Sequence, residues 1–459
     1  MKITVSLLFV CWLCACSSVW GQHLQRRPFL GVQVSAVSDS LAKSDKLPGT
    51  QGAFVRRVIP NSTAAALKLQ AGDVIVRVNG TPVNNFMDVP ALARQFRTGE
   101  PLALDLTRKG RRTTVKGKVQ PMPFETDPNA DVRYGEVPLA DNRYARSILK
   151  KPKGKGRFPA VFFVQGYGCS SLDNLPAEDP QRQLIDELVA RGYAVFRMDK
   201  PGSGDSQGSK PCTEIGYQEE LEAFTAGLKL LKQDPSVDPD NVFLFGHSLG
   251  GNTAPLMAAR EKVKGLMVYG ITGKPWFEYL LEVYRDQRTL LGTDYVQVDQ
   301  DMRTVVPLLY EFMIQKKKPE ELAQNPNYRA ALENIMDYDG QGHLYGRHYT
   351  FLQDLQDLPM NEAWRDANAY TLAIYGEADV PALDPEGAQL VVNLVNSYYP
   401  GKATYAFLPR TDHGFMEVGT MEEYLKRRES AESDTFQPRF NPKLVDLVDN
   451  WMKDKLKRA

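Results

Sequence analysis

Three kinds of hydrophobic pattern divide the chain. Lys2 precedes an almost unbroken apolar run from Ile3 to Ala15, followed by small and polar residues. Residues 28–120 then read as short alternating segments. Gly52 to Ile59 is a strand pattern. Pro60-Asn61-Ser62-Thr63 opens a short Ala-rich helix. Val74, Val76 and Val78 share one face by alternation, and Asn79-Gly80 supplies the positive φ of a two-residue hairpin turn. Asp88 is placed to cap a helix over Val89 to Phe96, and strands follow over Pro101 to Thr107 and Arg112 to Val119.

A Pro-rich stretch, within a linker over 121–130, separates this block from a second one over 131–459. There the period changes. After strand material around Arg133 to Leu149, Ala160 to Val164 is unbroken and apolar, as in a strand covered on both faces. Asp179-Pro180 starts a helix with Leu184, Ile185, Leu188 and Val189 in one stripe, stopped by Gly192. Tyr193 to Met198 is a strand, a helix carries Leu221, Phe224, Leu228 and Leu231, and Asn241 to Phe245 is a strand again. Such alternation predicts an α/β fold, a mainly parallel sheet with helices on both faces. A less regular helical segment, 274–366, interrupts it as an insertion.

Charge alters this picture little. Lys plus Arg and Asp plus Glu both number 56, so no global field points to nucleic acid or an anionic membrane. The apolar start matters more. A basic residue, a short apolar core and a small-residue region are the layout of a signal peptide over 1–21, too short to span a bilayer stably. Cleavage before Gln22 would release the mature chain, the preferred reading. Leu13-Cys14-Ala15-Cys16 offers the alternative of a lipid anchor at Cys16. Both readings export the chain, to the periplasm or beyond. Of five cysteines, export would leave Cys169 and Cys212, which are expected to pair in an oxidising compartment.

The first block resembles a PDZ domain of the kind attached to bacterial exported proteases. The resemblance rests on Phe29-Leu30-Gly31-Val32, on Pro60 through Ala66, and on Gly72-Asp73-x-Ile75-x-x-x-Asn79-Gly80. It implies that Phe29, Leu30, Gly31 and Val32 line a groove that receives a peptide C-terminus.

The second block carries Gly246-His247-Ser248-Leu249-Gly250 where a buried strand meets a helix. Gly-x-Ser-x-Gly alone is a weak signal. At a strand-to-helix turn it is the arrangement that exposes a strained nucleophilic serine at a helix N-terminus. A serine hydroxyl needs a base. Among the five histidines, His413 in Thr411-Asp412-His413-Gly414-Phe415 follows a strand, Thr404 to Leu408. His247 is expected only to pack, and His343 and His348 to lie on the surface. Asp379, after the strand Thr371 to Tyr375, is the preferred orienting acid, with Glu377 and Asp384 as fallbacks and Asp412 disfavoured.

In the order Ser248, Asp379, His413, this block resembles the α/β-hydrolase superfamily. That resemblance implies an oxyanion hole from the N–H groups of Leu249 and of Tyr167, in Gln165-Gly166-Tyr167, and a cap formed by 274–366 over the site. The aromatic residues Trp276, Phe277, Tyr279 and Tyr284 are candidates for its substrate pocket. Acyl transfer by this group requires neither metal nor organic cofactor. The expected activity is hydrolysis of a small-molecule ester. A peptidase, and a non-catalytic PDZ scaffold, are the alternatives.

Overall fold

The computed structural model describes residues 23–44, 47, 49–208, 210–430 and 436–457. The expected signal peptide, its cleavage before Gln22 and the alternative anchor at Cys16 lie outside the described residues. No helix among the described residues is long and apolar enough to cross a membrane.

The N-terminal sheet is antiparallel. Its strands are β1 (Val32–Ser35), β2 (Ala53–Val58), β3 (Val74–Val78), β4 (Thr81–Pro82), β5 (Pro101–Arg108) and β6 (Arg111–Lys118), in the order β1-β2-β3-β5-β6 with β4 on β3. Asn79 and Gly80 adopt the positive φ that the β3–β4 hairpin requires. Ser62 caps the helix Thr63–Ala66 by accepting from Ala65 N. Asp88 does not cap as expected. The helix runs Asp88–Ala93 without a side-chain cap. The Asp88 carboxylate instead accepts from the N–H groups of Asn84 and Asn85, at 2.7 and 3.1 Å, and closes the loop before the helix.

The second sheet has ten strands: β7 (Ala130–Leu139), β8 (Arg143–Pro152), β9 (Phe158–Val164), β10 (Ala194–Met198), β11 (Val237–His247), β12 (Gly265–Tyr269), β15 (Tyr370–Ala378), β16 (Ala403–Asp412), β17 (Met416–Glu417) and β18 (Arg439–Phe440). A small hairpin of β13 (His343–Leu344) and β14 (Arg347–His348) stands apart. The order across the large sheet is β7-β8-β10-β9-β11-β12-β15-β16-β17-β18, and the six strands from β10 to β16 run parallel. The unbroken apolar β9 is explained by two cores. Ala160, Phe162 and Val164 face one, with the helices Tyr217–Lys232 and Gly250–Arg260, while Val161 and Phe163 face the other, with Pro180–Ala190 and Lys443–Leu456.

Within the inserted segment, the last helix, Met360–Ala367, packs on Gly250–Arg260 and on Glu386–Tyr398, and so belongs with the helices flanking the sheet. His343 is no bland surface residue. Its ring bonds Glu214 at 2.5 Å and Asp339 at 2.7 Å, tying the cap hairpin to the body.

The stretch before β1 is docked on the second domain. Leu24 is buried and its N–H donates to Glu136 at 2.6 Å. Arg26 pairs with Asp173 at 2.7 Å and also with Asp205, and Arg27 donates to Ser171 at 2.7 Å.

Candidate active site

Ser248 sits at the end of β11 with φ of 55°, a backbone conformation costly for any residue but glycine. The turn forces it. A Cβ on Gly246 would come within 2.4 Å of the Gly250 carbonyl oxygen, and one on Gly250 within 2.1 Å of that of Val164. No side chain fits at either place. The helix Gly250–Arg260 begins directly after the serine and aims its N-terminal dipole at it.

His413 follows β16 and lines, together with Ser248, a cavity of about 30 Å³. Its Nδ1 bonds Asp379 Oδ1 at 2.8 Å. Asp379, at the end of β15, is fully buried, and the same oxygen accepts from Ala382 N at 2.9 Å. Burial alone would lower the pKa of His413, but the Asp379 carboxylate outweighs it and holds the ring above the ordinary histidine value. The other carboxylates are engaged elsewhere: Asp412 accepts from Gly414 and Met416 N–H, Glu377 from Arg410 N–H and Asp384 from Glu386 N–H.

The N–H groups of Tyr167 and Leu249 find no hydrogen-bond partner among the described residues. Gly166 packs against the serine, since a Cβ there would meet Ser248 Cβ at 2.9 Å. Cys169, two residues beyond Tyr167, is disulfide-bonded to the buried Cys212, with the Cα atoms 5.8 Å apart. Of the cap aromatics, Trp276 and Tyr279 close the serine cavity, whereas Tyr284 is a buried core residue.

Asn252 and Ile271 also line a larger cavity of about 490 Å³ with Met360, Trp364, Leu390, Val391 and Leu394. His413 also lines a cavity of about 270 Å³, together with Gln287, Asp412, Tyr424 and Arg428.

His247 has more than a packing role, which sequence reasoning missed. Its Nε2 meets the His413 carbonyl at 2.8 Å, and its ring lies 4.5 Å from that of Phe415. Only the tertiary approach of the β16 loop to β11 creates this contact, so no local signal announces it.

In the first domain, β1 is an edge strand, and the N–H groups of Leu30 and Gly31 beside it have no partner among the described residues. Val32, Val34, Leu92 and Phe96 are half-buried against the domain core.

The PDZ domain family matches residues 22–106, and the family described as serine aminopeptidase, S33, matches residues 181–414. The periplasmic serine endoprotease DegP of Salmonella typhimurium is 37% identical over 95 residues, 21% of this chain and 20% of DegP. A probable DegP-like endoprotease of Pseudomonas putida is 37% identical over 125 residues, 27% of this chain and 26% of that protein. The chain thus spans only about a fifth to a quarter of the length of these curated relatives. Among solved structures, carboxyl esterase 2 of Tuber melanosporum is 15% identical with a TM-score of 0.41, covering 72% of this chain and 89% of the esterase. Est1E of Butyrivibrio proteoclasticus is 16% identical with a TM-score of 0.41, covering 72% of this chain and all of Est1E.

Proposed function

The chain belongs to the serine aminopeptidase S33 family of α/β-hydrolases and carries a PDZ domain, and from that premise we propose that it is an exported serine esterase. One observation carries the reading: the strained Ser248 shares a cavity with His413, whose ring is held by the buried Asp379. In the proposed reaction Ser248 Oγ attacks the ester carbonyl while His413 Nε2 takes its proton. The oxyanion is met by the unpartnered N–H groups of Tyr167 and Leu249. His413 then protonates the leaving alcohol, and water releases the acyl group from Ser248.

The lining of the serine cavity favours an ester. Its side chains include Ile271, Trp276, Tyr279 and Pro381, and no carboxylate among the described residues lines it. A free α-ammonium would need such a partner. The neighbouring cavity, walled by Met360, Trp364 and Leu390, suits an apolar acyl group. Export is supported by the basic-then-apolar N-terminus and by relatives named as periplasmic. The proposed PDZ ligand is a peptide C-terminus, bound along β1 with its carboxylate on the Leu30 and Gly31 N–H groups. A peptidase reading draws on that groove and on Glu278, exposed at the rim of the larger cavity.

The deciding experiment compares p-nitrophenyl acyl esters with aminoacyl p-nitroanilides and labels the serine with a fluorophosphonate. The esterase reading expects ester turnover, little anilide turnover, and labelling lost in Ser248→Ala. Preferential anilide cleavage would favour the peptidase, and an unlabelled wild type would favour a scaffold.

A further inference from the structure

A buried ion triad outside the serine cavity grips the loop that carries the Tyr167 N–H. Lys200, Glu220 and Arg347 come from the turn after β10, the helix Tyr217–Lys232 and β14 of the cap hairpin, and each is at most 1% exposed. Glu220 bridges the two cations, at 2.6 Å from Lys200 Nζ and 3.0 Å from Arg347 Nη2. Both cations spend a remaining donor on the same loop. Lys200 Nζ donates to the Gly166 carbonyl at 2.6 Å, and Arg347 Nη1 to the Tyr167 carbonyl at 3.1 Å.

The Gly166 carbonyl and the Tyr167 N–H belong to one rigid peptide plane and point in opposite directions. Pinning the carbonyl on Lys200 therefore fixes where that N–H points. Without a pin, the peptide could rotate and turn its carbonyl toward the developing oxyanion. The next peptide is held from both sides: Lys200 Nζ also reaches the Tyr167 carbonyl, at 3.3 Å, and Arg347 grips it from the cap, with its guanidinium 3.7 Å from the Phe351 ring centroid. The Tyr167 hydroxyl returns to the same hairpin, reaching the Tyr345 carbonyl at 3.3 Å.

Resting on the acyl-transfer reading above, we propose that Lys200 and Arg347 are positioning residues that preset the oxyanion hole, and that Arg347 makes its geometry depend on the seating of the cap. Neither touches substrate; each acts through a backbone carbonyl.

The test uses the full mature chain with Lys200→Met, Arg347→Met and Arg347→Lys. End-point fluorophosphonate labelling counts competent serines, and kcat on a p-nitrophenyl ester is expressed per labelled serine. Lys200→Met leaves the Glu220–Arg347 pair intact and is expected to lower kcat by ~10²-fold, the scale of losing one oxyanion donor, with KM within about threefold. Arg347→Met should lower kcat about tenfold, the scale of one hydrogen bond, and Arg347→Lys should recover part of it. A positioning role also predicts that a boronic acid mimic of the tetrahedral adduct binds the Met variants more weakly by matching factors. Wild-type kcat per labelled serine in the Met variants, whatever their thermal stability, would overturn the clamp alone. An unlabelled wild type would overturn the nucleophile assignment and the clamp with it. If Lys200→Met does not fold, the Arg347 pair decides: equal kcat per serine in Arg347→Met and wild type overturns the proposal.

Discussion

The ring Nε2 of His247 donates to the backbone carbonyl of His413 across 2.8 Å. A carbonyl only accepts, so this contact fixes the tautomer of His247 with its proton on Nε2. Burial first, and then the neighbouring His413, lower the pKa of His247 to about 3, so the ring stays a neutral donor at ordinary pH. One histidine thus holds the loop that presents the other.

Replacing that donor should loosen His413, the proposed base, without removing it. His247→Ala is expected to lower kcat about tenfold, the worth of one hydrogen bond, with a smaller change in KM. Steady-state kinetics on an ester substrate checks this. An unchanged kcat would leave His247 a packing residue only.

Protonating the buried ring should also cost stability. A lowered folded-state pKa means that the unfolded chain takes the proton more readily. The contribution is therefore full above about pH 6.5 and is lost progressively as pH falls toward 3. His247→Gln, which does not titrate, should flatten this part of a Tm-against-pH curve measured by calorimetry.

His413 should act as a base only when neutral, and its pKa is raised against the pull of burial by Asp379. The acid limb of kcat/KM is therefore expected above the ordinary histidine midpoint of about 6.5, with activity rising as pH rises through it. Asp379→Asn removes the charge that raises the pKa and disturbs the tautomer. It should move the limb toward lower pH and cut kcat by ~10⁴-fold. A pH–rate profile of both proteins measures the two effects together.

The disulfide between Cys169 and Cys212 closes a separation of 43 residues and anchors the loop two residues beyond Tyr167. Cys212→Ser is expected to destabilise the protein by up to about 4 kcal/mol in the chain-entropy view. It should also lower kcat in the fraction that remains folded. Denaturant unfolding and serine titration separate the two losses.

Peptides that end in a free carboxylate should bind the first domain about tenfold or more tightly than their amidated forms, given charge-assisted bonds to the Leu30 and Gly31 N–H groups. Gly31→Ala should abolish the difference, because a Cβ there would lie 2.1 Å from Ser62 Cβ. Fluorescence anisotropy on the full chain reads this directly.

Local chemistry in the sequence was enough for much of this protein. The apolar run of β9 announced a strand between two cores, Asn79-Gly80 announced a hairpin, and Gly-x-Ser-x-Gly at a strand end announced the sharp turn at Ser248. Chain order and strand ends pointed to Asp379 and His413, because parallel strands deliver their carboxyl ends to one edge. What the sequence could not carry were contacts between elements far apart along it. The docking of Arg26 and Arg27 on the second domain, the bond from His247 to His413, and the grip of Lys200 and Arg347 on the Tyr167 loop join residues with no shared period or motif. Spacing along the chain encodes which face a residue takes, whereas the partner it meets there is decided only when the layers pack.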